Sequence, residues 1–340
     1  ELLVNKKKKP GSRGFKKVTH EDVDIVAAGI NHQTWYIKAL YAGEDWTGRL
    51  LEGFERHPVF KDTEKVRIDM LRRFGYYTTE SNGHVSEYVP WYRKRTNQIR
   101  KWIDMSSWIH GETGGYLRVC TEGRDWFETD FPNWLKQDPP EFSYDTRSEE
   151  HGSWIIEARE TGRVYRGHFN VVNDGCIANL PLDAIVEVPG YVDRNGLAIP
   201  QVGELPMACA AICSTSIHVQ QLAVEAAVRG DVELLQQAMM LDPLTSAVCD
   251  PDEIWQLTDE MLVAQARWLP QYKRSIPAAK KRLAASKPLG TRKTKGAARL
   301  KTKSATEQRR DKAAARRNAG AADKGNLLGK SPAKKRRAAG

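Results

Sequence analysis

The sequence predicts an α+β protein: a mixed or antiparallel sheet with long helices toward the C-terminus. Three observations carry that expectation. Residues 23–28 are an apolar run of strand length. Residues 184–202 read as two β-rich runs around Asp193-Arg194-Asn195-Gly196, a hairpin signal. Residues 206–268 then hold three successive helical patterns, separated by Gly230 and by Asp242-Pro243.

Each element has a local reason. The first run continues as VAAGINHQTWYI over residues 26–37, and its apolar character breaks at Gly29, Asn31 and His32 before aromatics resume. A buried polar group without a partner costs about 1–3 kcal/mol. The Asn-His pair is therefore expected either to meet neighbouring backbone or to face something that is not protein. Over residues 64–74, Val66, Met70 and Leu71 share one helical face, and Gly75 is a stop. The long pattern of residues 206–229 ends at Gly230, and Asp231 is placed to cap the helix that follows through Met240. Asp242-Pro243 breaks that helix, and a last one begins near Pro251-Asp252-Glu253 and reaches Trp268, before Pro270.

Charge divides the chain of 340 residues, whose net charge is +10. Residues 273–340 carry 23 basic against 3 acidic side chains, and residues 1–17 carry 7 against 1. The body between them is acidic, with a net charge of −16. Three regions are expected: a basic disordered lead (1–17), a folded body (18–272) and a disordered Lys/Arg/Ala-rich tail (273–340). The tail has no aromatic residue after Tyr272, so it buries too little apolar surface to offset chain entropy. An acidic body argues against a nucleic-acid groove on the folded part. The tail, with Lys334-Lys335-Arg336-Arg337, suits weak non-specific nucleic-acid binding or a solvated extension without a partner.

The cysteines are five, Cys120, Cys176, Cys209, Cys213 and Cys249, with no CxxC pair. Without a signal peptide or a long apolar span, they suit reduced thiols in the cytoplasm and no membrane association. Cys209 and Cys213, four apart, invite a metal reading, but their setting MACAAIC favours two small core side chains. Neither a GxGxxG loop opening a helix nor a GxxxxGK[ST] loop is present.

Two further polar stretches stand out. RRFGYYTTESNGH, residues 72–84, gathers two Arg, two Tyr, Glu80 and His84. A tyrosine near cations can have its pKa lowered toward that of a general base; equally, the stretch could be an aromatic-rich surface loop. NVVNDGCIANLP, residues 170–181, could hydrogen-bond sugar hydroxyls through its Asn side chains or be ordinary turn chemistry.

In order, GINHQTW, RRFGYYTTESNGHVSEYVPWY, NVVNDGCIANLP, VEVPGYVDRNGLAIPQVGELP, VQQLAVEAA and MMLDPLTSAV resemble the C-terminal part of glycoside hydrolase family 4. The likeness lies toward its α-galactosidase, α-glucosidase and α-galacturonidase branch and covers residues 18–272. It implies the C-terminal domain of a lactate/malate-dehydrogenase-like architecture. It also implies an exception to two-carboxylate glycoside hydrolysis: NAD⁺ accepts a hydride from sugar C3, a base removes the C2 proton, and the C1–O bond breaks by elimination. Water then adds and the hydride returns, with a divalent cation, usually Mn²⁺, at the C2 and C3 oxygens.

The resemblance further implies that His32 is a metal ligand and Asn31 a substrate contact. Tyr76, or Tyr77, would be the C2 base. Glu80, Ser81 and His84 would line the sugar pocket, with Asn173 and Asp174 as further pocket residues. Where relatives commonly carry Ser-Glu before that histidine, this chain has Asn82-Gly83. Family members bind NAD on an N-terminal Rossmann domain that also supplies a cysteine metal ligand, and residues 1–17 match neither feature. The expectation is a glycosidase portion that acts on an α-glycoside with a separate NAD-binding half or as a homo-oligomer. The alternatives are an inert remnant and a nucleic-acid-associated protein working through its tail.

Overall fold

The computed structural model describes residues 1–6, 8–103, 131–137, 147 and 150–286. Its strands are β1 (Val23–Ile30), β2 (Gln33–Tyr41), β3 (Glu44–Asp45), β4 (Tyr165–Val172), β5 (Ile185–Asp193) and β6 (Gly196–Ala198). They form one sheet in the order β3-β2-β1-β5-β4, with β6 hairpinned onto β5 and every pairing antiparallel. The helices are α1 (Leu2–Asn5), α2 (Leu50–Arg56), α3 (Phe60–Thr63), α4 (Lys65–Phe74), α5 (Asn82–Val85) and α6 (Thr96–Trp102). After α7 (Phe131–Trp134) and α8 (His151–Thr161) come α9 (Met207–Arg229), α10 (Val232–Leu241), α11 (Pro243–Val248), α12 (Pro251–Ala264) and α13 (Ile276–Ala285). The α+β expectation holds, and helices do gather in the C-terminal half.

Most helix signals act as read, but α12 stops at Ala264, and the expected stretch up to Trp268 is a separate 3-10 turn, Ala266–Trp268. Gly75 closes α4 and Gly230 closes α9, both in the left-handed conformation. The Asp231 carboxylate accepts from the backbone N–H groups of Glu233 and Leu234, and Asp250 with Glu253 forms a capping box on α12. The main core lies between the sheet and α9: Ala28, Ile30 and Trp35 meet Val186 and Val188, with Cys209, Cys213 and Ile217 covering them. These last three recur every four residues, one stripe of a helix. Cys209 and Cys213 are thus core side chains, as their apolar setting suggested. Burial raises the Cys209 thiol to about 12 and the Cys213 thiol to about 11. Among the described residues α9 is the one helix long and apolar enough to cross a membrane, but this stripe makes it the core helix of the fold.

The expected region boundaries need correction at both ends. The basic lead is folded, because the Asn5 amide donates to the Lys16 carbonyl (2.7 Å) and its oxygen accepts from the Lys16 N–H (2.7 Å). The body also extends past residue 272. Helix α13 docks on α12 through Arg282, whose guanidinium forks onto the buried Asp259 carboxylate at 2.7 and 2.8 Å. Ile276 joins Leu262 and Tyr272 in a second small core. The rest of the tail, residues 287–340 with Lys334–Arg337, lies outside the described residues, as does Cys120.

Candidate functional site

The opening Asn-His pair is the two-residue turn between β1 and β2, closed by the Ile30–Gln33 pairing. His32 takes a left-handed φ of 67°, a conformation in which histidine is commoner than most side chains. Gly29 has φ 157°, and a Cβ there would stand 2.2 Å from the Gln33 carbonyl oxygen. The turn needs glycine at that point to fold back this closely. The Asn31 amide donates to the Glu187 carboxylate on β5 (3.3 Å) and is exposed.

A neighbouring segment brings partners to His32. The Tyr36 N–H donates to the Tyr77 carbonyl (2.8 Å), Trp35 bridges Thr78, and the Thr79 N–H donates to the Thr34 carbonyl (2.9 Å). Residues 77–79 therefore run antiparallel along β2, and continuing that register places residue 80 beside the hairpin tip. There His32 Nδ1 hydrogen-bonds Glu80 Oε2, while Glu80 Oε1 accepts from the Ser81 N–H (2.6 Å). Burial alone would raise the Glu80 pKa, but the bonds from His32 and Ser81 and the nearby His84 outweigh it and hold it below the ordinary range.

Helix α5 follows at once and supplies His84, whose ring centroid lies 4.6 Å from that of His32, edge to face. His84 Nδ1 contacts the Glu87 carboxylate (2.8 Å), which also pairs with Arg93 (3.1 Å). Arg93 is only 2% exposed, and its guanidinium further donates to the Gly83 carbonyl (2.8 Å) and Ser86 Oγ (2.6 Å). Tyr88 stacks on His32 at 5.4 Å and 13°, and its hydroxyl lies 3.4 Å from His84 Nε2. Burial, then the charges of Glu80, Glu87 and Asp242, push the Tyr88 phenol up to about 12. Asp242, which caps α11 through the Thr245 N–H (2.7 Å), thus faces the same region.

The donor atoms of His32, Glu80 and His84 all lie within 4.8 Å of one another. Two imidazoles and one carboxylate suit a borderline divalent cation. The residues present fit the metal implied by the resemblance.

Other expected site residues stand differently. Tyr76 packs half-buried against the main core. Tyr77 is a correction: 2% exposed, it stacks on Phe54 at 3.9 Å and lies under the Arg67 guanidinium. Burial raises its phenol by more than Arg67 lowers it, the reverse of the lowering expected of a general base. The two arginines before it pair elsewhere, Arg72 with Glu55 and Asp69, and Arg73 with Asp69. Asn173 is the second correction. Its amide donates to the carbonyls of Ile177, Leu180 and Pro181, and its oxygen accepts from the Ile177 N–H (2.7 Å). At 1% exposure it organises the turn and has no capacity left for a sugar. Asp174 is exposed on that turn with φ 40°, and no hydrogen bond or ion pair among the described residues links it to His32.

Asn82 is structural too. Fully buried, it accepts from the Val66 N–H (2.7 Å), capping α4 from a distance, and donates to the Trp102 carbonyl (3.1 Å). Sequence reasoning missed Glu87, Tyr88 and Arg93; the i, i+3 and i, i+4 offsets from His84 were available for the first two, and nothing local marked Arg93.

The family described as "Family 4 glycosyl hydrolase C-terminal domain" matches residues 27–245. The chain belongs to glycosyl hydrolase family 4. It is 55% identical over 296 residues to an alpha-galactosidase of Rhizobium meliloti (strain 1021), covering 87% of this chain and 60% of that protein. With an alpha-galactosidase of Bacillus subtilis (strain 168) it shares 34% identity, covering 75% of this chain and 57% of the relative. Among solved structures, the lplD protein of Bacillus subtilis superposes with a TM-score of 0.58 at 25% identity, covering 74% of this chain and 58% of the other. A 6-phospho-alpha-glucosidase from gut microorganisms, crystallised with NAD and Mn²⁺, superposes with a TM-score of 0.54 at 20% identity, covering 75% and 58%. The chain spans about 60% of the length of the first of these relatives.

Proposed function

We propose that this chain is the sugar- and cation-binding portion of an α-glycoside hydrolase of α-galactosidase or α-glucosidase type, working with NAD and a divalent cation such as Mn²⁺. The observation that carries this is the meeting of His32, Glu80 and His84 at one hairpin tip of a family 4 domain. The names of the two alpha-galactosidases support the substrate class, and the gut enzyme's crystals with NAD and Mn²⁺ support the cofactors. When bound, NAD supplies a hydride acceptor, and the cation supplies a Lewis acid at vicinal sugar oxygens.

The chain's own residues do the rest. His32 and its neighbours hold the cation, the exposed Asn31, whose amide donates to Glu187, is the candidate contact to a sugar hydroxyl on one side of the turn, and Ser81 stands beside Glu80. Tyr76 is the candidate to take the C2 proton onto its hydroxyl oxygen. The NAD-binding half is expected outside these 340 residues, in the same protein or as a partner, with a homo-oligomer as a further arrangement. A reducing, cytoplasmic setting suits such a cofactor.

The test pairs the chain with the NAD-binding portion of the Rhizobium meliloti relative and follows cleavage of p-nitrophenyl α-galactoside. Cleavage should require both NAD⁺ and Mn²⁺. Tyr76→Phe should lose about 10²-fold or more, the usual contribution of a general base, while Tyr77→Phe should stay near wild type. Cleavage without either cofactor, or none in the paired protein, overturns the proposal.

A further inference from the structure

We infer that Gln33 is a positioning residue for the hairpin tip: from inside the core it ties the β1–β2 turn to α9 and holds Tyr88 against His32. This deepens the functional reading above and rests on its placing the sugar at this tip.

Gln33 begins β2, next to His32, and is 1% exposed. Its carboxamide nitrogen donates to Ser216 Oγ on α9 (2.8 Å) and, over a longer bond, to the Tyr88 carbonyl (3.4 Å). Its backbone carbonyl accepts from the Cys213 thiol, one turn earlier on α9 (3.4 Å). One residue thus joins the turn to segments 55 and 183 positions away. The Tyr88 ring stacks on His32 at 5.4 Å and 13°, and its hydroxyl lies 3.4 Å from His84 Nε2. The Gln33 amide therefore fixes the backbone of the residue whose ring covers His32.

Packing alone does not account for this glutamine. Its Oε1 is buried and has no hydrogen-bond partner among the described residues, and an acceptor left unpaired in the interior is destabilising. A methionine of similar shape facing an alanine at position 216 would fill the space without that penalty. Replacing both partners of a buried pair by apolar groups is close to neutral, or stabilising. A local rule broken beside a binding site is the pattern expected where geometry is held for function.

The test is the double variant Gln33→Met/Ser216→Ala in the full chain, without sugar or nucleotide. Its melting temperature by circular dichroism should equal or exceed that of wild type. In proton spectra of the histidine rings, the His32 signals, shifted upfield in wild type by the face of Tyr88, should move downfield. Tyr88→Leu marks the position of a His32 ring with no aromatic cover. In the chain paired with the NAD-binding portion of the Rhizobium meliloti relative, kcat should fall about 10-fold or more while KM changes less, since misplaced groups cost most in the transition state.

Unmoved His32 signals in the folded double variant overturn the inference, as does an unchanged kcat in an active paired protein. A melting temperature several degrees below wild type also overturns it, because the pair would then be a packing feature. Should the double variant not fold, Ser216→Ala alone, which removes the anchor on α9, carries the same readouts. Moved His32 signals alongside a wild-type paired protein that cleaves nothing would count only against the glycosidase reading.

Discussion

Gly29 allows the hairpin to fold back tightly behind His32, and the reason is steric. Its φ of 157° and the 2.2 Å approach of the Gln33 carbonyl to a Cβ leave no room for any other residue. Gly29→Ala should therefore destabilise the fold by about 1–3 kcal/mol, read as a lower urea midpoint with an unchanged slope. It should weaken Mn²⁺ uptake as well, because His32 is two peptide bonds beyond the glycine's successor. At this scale the sequence was legible in part: an Asn-His pair interrupting an apolar run pointed to a polar partner, in the backbone or outside the protein, but not to the turn that holds it. It was not legible for Tyr76 against Tyr77, which are adjacent and chemically identical. Only the pairing of Tyr77 with Tyr36 decides which ring is buried on Phe54. Asn173 misled for a related reason, since an amide inside a turn and an amide facing a sugar look alike until its carbonyl partners are known.

Elements carry a second lesson at the seam between β1 and β5. Gly29 pairs with Glu187 there, and continuing the register sets Ala27 opposite Pro189, which has no N–H to give. His168 of β4, paired with Pro189, makes a different contact: its Nε2 accepts a long bond from the Ala27 N–H (3.4 Å). Burial, then the charges of Arg166 and His151, hold its pKa below the ordinary histidine value. The folded state thus binds this proton less readily than the unfolded chain. Its contribution to stability is complete above the unfolded value of ~6.5 and declines as pH falls below it. Urea midpoints should drop between pH 7.5 and 5.5, and the drop should shrink in His168→Gln. Helix limits were legible because Gly75, Gly230, Asp231 and Pro251 act within a turn or so of themselves. Strand partners were not, since β1 and β5 meet across more than 150 residues of chain.

At the scale of the molecule, charge and aromatic content suggested that folding stops near Tyr272, yet α13 continues the body. Ile276 and Ala279 turn inward there, while Lys280, Lys281 and Arg282 lie on the exposed side. A chain ending at residue 272 would leave Asp259 buried without its Arg282 fork, at a cost on the order of 1–3 kcal/mol. Its melting temperature should be several degrees below that of a chain ending at residue 286, measured by circular dichroism. A last consequence follows from the sulfur stripe under the sheet. Cys209 and Cys213 are both shielded from solvent and held as protonated thiols, so a colourimetric disulfide reagent can reach them only when the long helix lifts away. Their labelling rate under native conditions should then mirror global opening, giving the protein an intrinsic chemical stopwatch, and rapid reaction of both thiols in the folded state would contradict this packing.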